Sequence, residues 1–306
     1  MSNPGDTCHP ATSVGFVGLG NMGRPMAERL LRCGWNITVY NRTPAKTASL
    51  AEAGAQVART LAELRECDIV ITMVGTDDDL RAVTLGTGGL LDGANTDFLL
   101  VDCSTVSAEV TDEVAAAARA CGGDLLAAPV AGGPSVIPEG RLAIVCSGAP
   151  EAFDHAKPAL NTLAHKVIYA GSGAISRQVK ILHNLIAAVL VHVIAEVSVL
   201  GESIGVDRGD LLEFVSAGAV GSPFVAYKAE LMKSLEFTAD FTAALMLKDV
   251  TLGHDLAEMS GVDIPIVEHT REAIAELVAA GLGESDIARL IEFLADRNGV
   301  ALTRRP

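Results

Sequence analysis

The strongest constraint on this chain is the run Val14-Gly-Phe-Val-Gly-Leu-Gly-Asn-Met-Gly-Arg-Pro-Met-Ala-Glu-Arg-Leu30. A short apolar strand passes through a Gly18-x-Gly20-x-x-Gly23 turn into a helix. A turn this tight needs dihedrals that glycine adopts without a Cβ clash, which is the task of Gly18. Gly20 keeps the backbone bare where a phosphate would approach, and Gly23 lets the helix sit close on the strand. The helix N-terminus contributes unpaired N–H groups and partial positive charge. Gly18, Leu19, Gly20, Asn21, Met22 and Gly23 together read as a pyrophosphate cradle.

Glycine is frequent here, 30 in 306 residues, so the spacing alone would be weak. Context strengthens it. A second strand over 37–40 ends where the adenosine ribose of a bound dinucleotide should lie. At that end stand Asn41, Arg42 and Thr43, without the carboxylate that usually accepts the ribose hydroxyls of NAD. An amide, a guanidinium and a hydroxyl favour the 2′-phosphate of NADP(H), with NAD(H) possible and Arg42 as a plain solvated side chain the bland alternative.

From about residue 13 to 170 short apolar strands alternate with helical stretches, which predicts βαβ units and a doubly wound parallel sheet. Strands are expected at 14–17, 37–40, 69–73, 98–101, 125–129 and 142–146, and helices at 22–33, 44–53, 61–66, 107–121 and 151–162. Ligands on such a sheet bind beyond the carboxyl ends of the strands, which places Val74, Gly75, Ser104 and Thr105 beside the cradle. After about 176 the strand signals stop and helices are expected at 177–204, 208–216, 242–259, 265–280 and 286–296. The expected organisation is a flexible extension at 1–12, an α/β Rossmann domain at 13–175, and an all-helical domain at 176–306 entered through a long helix.

Composition narrows the class of partner. With 38 acidic against 23 basic residues the net charge is −15, and no Lys/Arg cluster is present to reward a nucleic acid backbone. The six cysteines have no CxxC spacing or paired histidines nearby, so core thiols in a reducing, cytoplasmic setting are expected, without disulfides. The histidines read as isolated and no metal is expected. The apolar run from 181 to 205 resembles a membrane span in density, but Lys180, His183, Asn184, His192, Glu196 and Glu202 interrupt or flank it. A helix buried between domains or subunits is expected instead.

Three further blocks can carry chemistry. Ser104 and Thr105 follow an expected strand and precede a helix, where a hydroxyl either caps the helix or meets a ligand. Around Gly132 and Gly133 successive N–H groups can wrap a carboxylate, or simply turn the chain, with 135–139 as a loop over the site. Lys180 and Asn184 share a helix face at i, i+4. Partial burial disfavours an ammonium and suits Lys180 to proton exchange with a hydroxyl or carbonyl, the alternative being a side chain that snorkels to solvent.

These blocks together resemble the β-hydroxyacid dehydrogenase family, which includes 3-hydroxyisobutyrate dehydrogenase, tartronate semialdehyde reductase and succinic semialdehyde or glyoxylate reductases. The likeness rests on residues 15–23, Asp102-Cys-Ser-Thr105, Pro129-Val-Ala-Gly-Gly133 with Gly140-x-Leu142, Lys180-x-x-x-Asn184 and the Leu245-Met-Leu-Lys248-Asp249-Val250 segment. It implies Lys180 as general acid/base, Asn184 as its orienting partner, Ser104 with the Gly132-Gly133 backbone on the substrate carboxylate, and Lys248 near the cofactor. It also implies a homodimer or homotetramer assembled through the long helix, acting on a small carboxylate-bearing substrate.

The chain departs from the family pattern at several points. Ala131 stands where Ser is usual, Val136-Ile137 replaces Gly-Ala, and Ala127 replaces a common Asp, which implies a substrate pocket that has lost a hydroxyl and gained bulk. About three extra residues separate Gly173 from Lys180, so that Arg177 occupies the usual Lys position by spacing. Lys180 is preferred because it keeps step with Asn184 and because a guanidinium does not readily exchange protons. The competing expectations are an imine reductase, in which that Lys is typically replaced, and a non-catalytic dinucleotide-binding protein.

Overall fold

The structure is a computed structural model that describes residues 12–93, 98–239 and 241–303. The extension expected at 1–12 lies outside the described residues except for its last position, as does Cys8. The chain divides into two compact units, the first ending at Lys180 and the second beginning at Ile181. The division falls a few residues inside the long helix Ile175–Ser203, later than the boundary expected at 175.

In the first unit, among the described residues, six strands form one parallel sheet: β1 (Ser13–Val17), β2 (Asn36–Tyr40), β3 (Gln56–Val57), β4 (Ile69–Thr72), β5 (Leu99–Asp102) and β6 (Asp124–Ala127), in the order β3-β2-β1-β4-β5-β6. The order reverses between β1 and β4, which is the switch point where a doubly wound sheet opens a crevice at its carboxyl edge. Alternate side chains feed two cores. Ile69, Ile71, Leu99 and Val101 pack with Met26 and Leu30 of α1 (Gly23–Arg32) and Leu160 of α5 (Pro150–Leu163). Val70 and Leu100 point the other way, toward Leu80 of α3 (Asp77–Thr84) and Val110 and Val114 of α4 (Ala108–Ala120). Burial on both faces is why these strands are apolar without alternation.

Several elements were not foreseen. Helix α3 begins Thr76-Asp-Asp-Asp79, with Thr76 Oγ1 accepting from the Asp79 N–H at 3.1 Å and three carboxylates in the first turn. That is a readable N-terminus, since negative charge there complements the helix dipole. The segment expected to extend the parallel sheet at 142–146 forms instead the middle of a separate three-stranded sheet. There β8 (Leu142–Cys146) runs antiparallel to β7 (Val130–Ala131) and parallel to β9 (Ala164–Tyr169). Strand β7 has two residues and β9 is largely exposed, so neither carries a periodic apolar signal.

The second unit is helical among the described residues. The long helix α6 (Ile175–Ser203) contributes Leu185, Val191 and Ala195 to a core shared with α9 (Ala243–Ser260), α10 (Pro265–Leu277) and α11 (Leu290–Asn298). Two further helices, α7 (Arg208–Ala217) and α8 (Pro223–Ser234), complete it. Helix α8 was not expected, although Ser222 caps it and Pro223 occupies its first position, a recognisable start. By length and composition α6 is the one helix among the described residues that could cross a membrane, yet 61% of its most apolar stretch is buried within the chain.

Candidate active site

The glycine turn after β1 separates structural from functional glycines. Gly18 has φ +94°, and a Cβ there would lie 2.2 Å from the Met73 carbonyl oxygen. At Gly23 a Cβ would lie 1.9 Å from the Gly18 carbonyl oxygen. Both are demanded by the fold. A Cβ on Gly20 would meet no atom within 4 Å, so packing within the chain does not demand glycine there. Helix α1 starts from Met22 with no side-chain cap and no acidic residue in its first turn. Open space over Gly20 at an uncapped helix start fits the pyrophosphate of a dinucleotide.

Asn41 plays a different part from the one expected. Its Oδ1 accepts from the Leu19 N–H at 2.9 Å and its Nδ2 donates to the Thr43 carbonyl at 3.1 Å. The amide is thereby committed to bracing the turn against the end of β2, and the Gly18 N–H to the Tyr40 carbonyl at 3.1 Å adds to it. Arg42 is 89% exposed, 3.6 Å from the Asp79 carboxylate. It stands free of the core just beyond the end of β2. Thr43 is exposed beside it.

At the end of β5 the structure corrects the role given to Ser104. Its hydroxyl is fully buried, donates to Asp102 Oδ1 at 2.7 Å and accepts from the Val74 N–H at 2.9 Å. That proton is not available to a substrate carboxylate. Ser104 instead ties the Val74-Gly75 loop to β5, and Thr105 beside it is partly exposed. Neither caps the following helix. Ser107 does, accepting from the Val110 N–H at 3.2 Å while its own hydroxyl donates to Asp77.

Asp102 is the centre of this edge and was not singled out. Its carboxylate accepts from Thr72 Oγ1 at 2.6 Å and pairs with the Arg177 guanidinium, both residues being buried. Arg177 also donates to the Ser104 carbonyl at 2.5 Å and to Thr111 Oγ1 at 3.0 Å. A guanidinium so engaged serves as a structural tether between α6 and the end of β5.

Gly132 and Gly133 follow β7 and are both exposed, with φ +119° at Gly132. The stretch expected as a loop over the site, 135–139, is part of a 3₁₀ turn over Pro134–Glu139. The Pro138 carbonyl accepts from Arg29 at 2.6 Å and from Arg32 at 2.7 Å, which fastens the turn to α1. Ile137 is fully buried in the core and Ala127 is a buried strand residue, so neither adds bulk to a pocket. Of the departures from the family pattern, Ala131 and Val136 remain partly exposed beside the glycines.

Lys180 is half-buried on α6, one turn before Asn184. Within the second unit Asn184 Nδ2 donates to Asp249 Oδ2 at 2.5 Å, and the Lys248 ammonium lies 3.3 Å from Asp249 Oδ1. The Asn184 and Lys248 blocks therefore meet through a fully buried carboxylate that the sequence did not mark as functional. Gly253 packs closely here, since a Cβ on it would come within 2.4 Å of the Leu185 side chain on α6. His183 is exposed, its Nδ1 3.1 Å from the Asn184 side-chain Oδ1.

The thiols play no part in these groupings. Burial pushes the Cys146 thiol up to about 12 and Cys103 well above its ordinary range. Both behave as core side chains.

Comparison with known proteins agrees with this geometry. Residues 13–171 match the NAD-binding domain of 6-phosphogluconate dehydrogenase, and residues 171–294 match the NAD-binding domain of NADP-dependent 3-hydroxyisobutyrate dehydrogenase. The chain is 34% identical to an uncharacterized oxidoreductase of Bacillus subtilis over 92% of its own length and 99% of the relative's. It is 32% identical to 3-hydroxyisobutyrate dehydrogenase of Pseudomonas aeruginosa, over 91% and 98%. The crystal structure of 3-hydroxyisobutyrate dehydrogenase from Salmonella typhimurium superposes with a TM-score of 0.85 at 26% identity, covering 92% of this chain and 99% of that one. Imine reductases share the fold at 20–23% identity. With a glycine-rich turn on a doubly wound sheet and a Lys-Asn helix leading into an all-helical unit, this chain belongs to the β-hydroxyacid dehydrogenase family of NAD(P)-dependent oxidoreductases.

Proposed function

We propose that the protein is an NADP(H)-dependent oxidoreductase that interconverts a small 3-hydroxy acid and the corresponding semialdehyde or oxo acid. The observation that carries the reading is the Lys180-Asn184 turn of α6, with the Asn184 amide locked by Asp249, in a chain that also holds an open cradle at Gly20. A retained proton-exchanging lysine argues against an imine reductase and against a fold that has lost its chemistry.

The residues divide the work by type. Gly18, Leu19, Gly20, Asn21, Met22 and Gly23 would hold the pyrophosphate, with Asn41 bracing the turn and Arg42 and Thr43 receiving the 2′-phosphate. Val74, Gly75 and Thr105 would line the rest of the cofactor. When bound, the nicotinamide supplies or accepts a hydride. Lys180 Nζ then delivers a proton to the substrate oxygen as negative charge develops on it, and in the reverse direction the neutral amine accepts that proton. Asn184, hydrogen-bonded to Asp249, would orient Lys180 or the substrate. The Gly132 and Gly133 N–H groups hold the substrate carboxylate, and Ser104 positions the Val74-Gly75 loop from below. Assembly as a homodimer or homotetramer belongs to the same reading, supported by Leu182, Ile186, Val193 and Leu200 lying exposed along α6.

The test follows NADPH and NADH absorbance against short semialdehydes, oxo acids and cyclic imines at several pH values. Consumption of NADPH with a semialdehyde or oxo acid is the expected result. Turnover of imines alone, or tight NADPH binding with no turnover of any carbonyl, overturns the proposal.

A further inference from the structure

The expectation of isolated histidines does not hold in the second unit. His192 and Glu196 lie one turn apart on α6, and His269 on α10 brings its ring alongside, with the two imidazole centroids 5.6 Å apart. One ligand atom from each of the three residues falls within 4.8 Å of the others. His269 is far from the other two in sequence, so only packing of α10 against α6 assembles the group.

The hydrogen bonds around His192 set which nitrogen is available. Thr270 Oγ1 lies 3.1 Å from His192 Nδ1 and donates its own proton to the Ile266 carbonyl at 3.0 Å. The hydroxyl is therefore an acceptor toward the ring, which assigns the proton to Nδ1 and leaves a lone pair on Nε2. His192 is only 4% exposed and Nε2 has no hydrogen-bond partner. The Glu196 carboxylate lies 3.7 Å from Nε2, too far for a hydrogen bond and facing it lone pair to lone pair. A buried, unpaired acceptor aimed at a carboxylate is unfavourable unless a cation lies between them.

We propose that His192, Glu196 and His269 form a binding site for a divalent ion of the zinc class. Two imidazoles and one carboxylate are the donor set that borderline ions prefer and that calcium or magnesium does not. In a tetrahedral site with bonds near 2.1 Å the ligand atoms stand roughly 3.4 Å apart, and the 3.7 Å between Nε2 and the Glu196 oxygen needs little adjustment to reach that. The Thr270 hydroxyl supplies the outer hydrogen bond that commonly fixes a ligating histidine. Water would complete the shell, since Glu196 and His269 are exposed. An ion here crosslinks α6 to α10, independently of the reaction proposed above.

The experiment uses the full chain free of affinity-tag histidines, stripped with a chelator and titrated with zinc chloride against excess magnesium. The wild-type protein is expected to hold about one zinc per chain and to melt at a higher temperature with it than without. Glu196→Gln and His269→Ala change exposed side chains and are checked for folding by circular dichroism. Each should weaken zinc binding at least tenfold and abolish the rise in melting temperature. Failure of the wild-type chain to retain zinc against magnesium, or a loss under tenfold in either variant, overturns the site.

Discussion

Arg177 and Asp102 form an ion pair inside the first unit, the arginine 1% and the aspartate 0% exposed, fastening the first turn of α6 to the carboxyl end of β5. The same carboxylate receives the Ser104 hydroxyl at 2.7 Å and the Thr72 hydroxyl at 2.6 Å. One acidic side chain thus sets the position of β5, the Val74-Gly75 loop and the start of the helix that carries Lys180. Arg177→Met leaves that carboxylate buried without its counter-charge, which should cost about 3–5 kcal/mol of stability. Urea unfolding of the variant tests this. A midpoint unchanged from wild type would show that the pair tethers nothing.

Lys180→Met should leave NADPH affinity near the wild-type value while lowering turnover roughly a hundredfold or more. Fluorescence titration of the cofactor and initial rates on the accepted substrate separate the two effects. Equal loss of binding and turnover would reassign Lys180 to cofactor contact.

Replacing Arg42 by alanine removes an exposed guanidinium that no core packing needs. NADPH should bind roughly tenfold more weakly or worse, with NADH unaffected. Parallel losses for both cofactors would exclude a 2′-phosphate contact.

The cradle glycines should fail in different ways. Gly23→Ala forces a Cβ to within 1.9 Å of a carbonyl oxygen and should cost about 1–3 kcal/mol or more. Gly20→Ala places its methyl in open space and should keep the melting temperature while losing nicotinamide cofactor binding. Thermal melts and cofactor titration of the pair distinguish a phosphate cradle from a purely structural turn.

Asp68 gives a pH dependence. The Ser13 N–H at 2.6 Å and its hydroxyl at 2.8 Å donate to the carboxylate and hold its pKa below the ordinary range. A depressed carboxylate contributes stability that is full above its unfolded value of about 3.9 and disappears as pH falls through the folded value. Asp68→Asn should therefore be less stable than wild type at neutral pH, with the difference closing on acidification. Denaturant midpoints across that range measure it, and a gap that persists in acid would assign the effect to something other than charge.

Local patterns in the sequence were enough for the doubly wound sheet, the glycine turn and the passage to an all-helical second half. Strand periodicity, the GxGxxG spacing and helix length act over a few neighbouring residues and survive without knowledge of what packs where. The misreadings all involve distance along the chain. Ser104 and Asn41 were each placed against a ligand, yet their polar atoms are claimed by Val74, Asp102 and Leu19, partners that only the folded sheet brings near. Ile137 reads as pocket bulk until the 3₁₀ turn buries it. Asp249 becomes meaningful when α9 packs against α6 and meets Asn184, and His192 when α10 delivers His269. Residue types that bind a dinucleotide are declared by spacing, whereas which polar atoms remain free for chemistry is decided by burial and by hydrogen bonds that the tertiary structure assigns first.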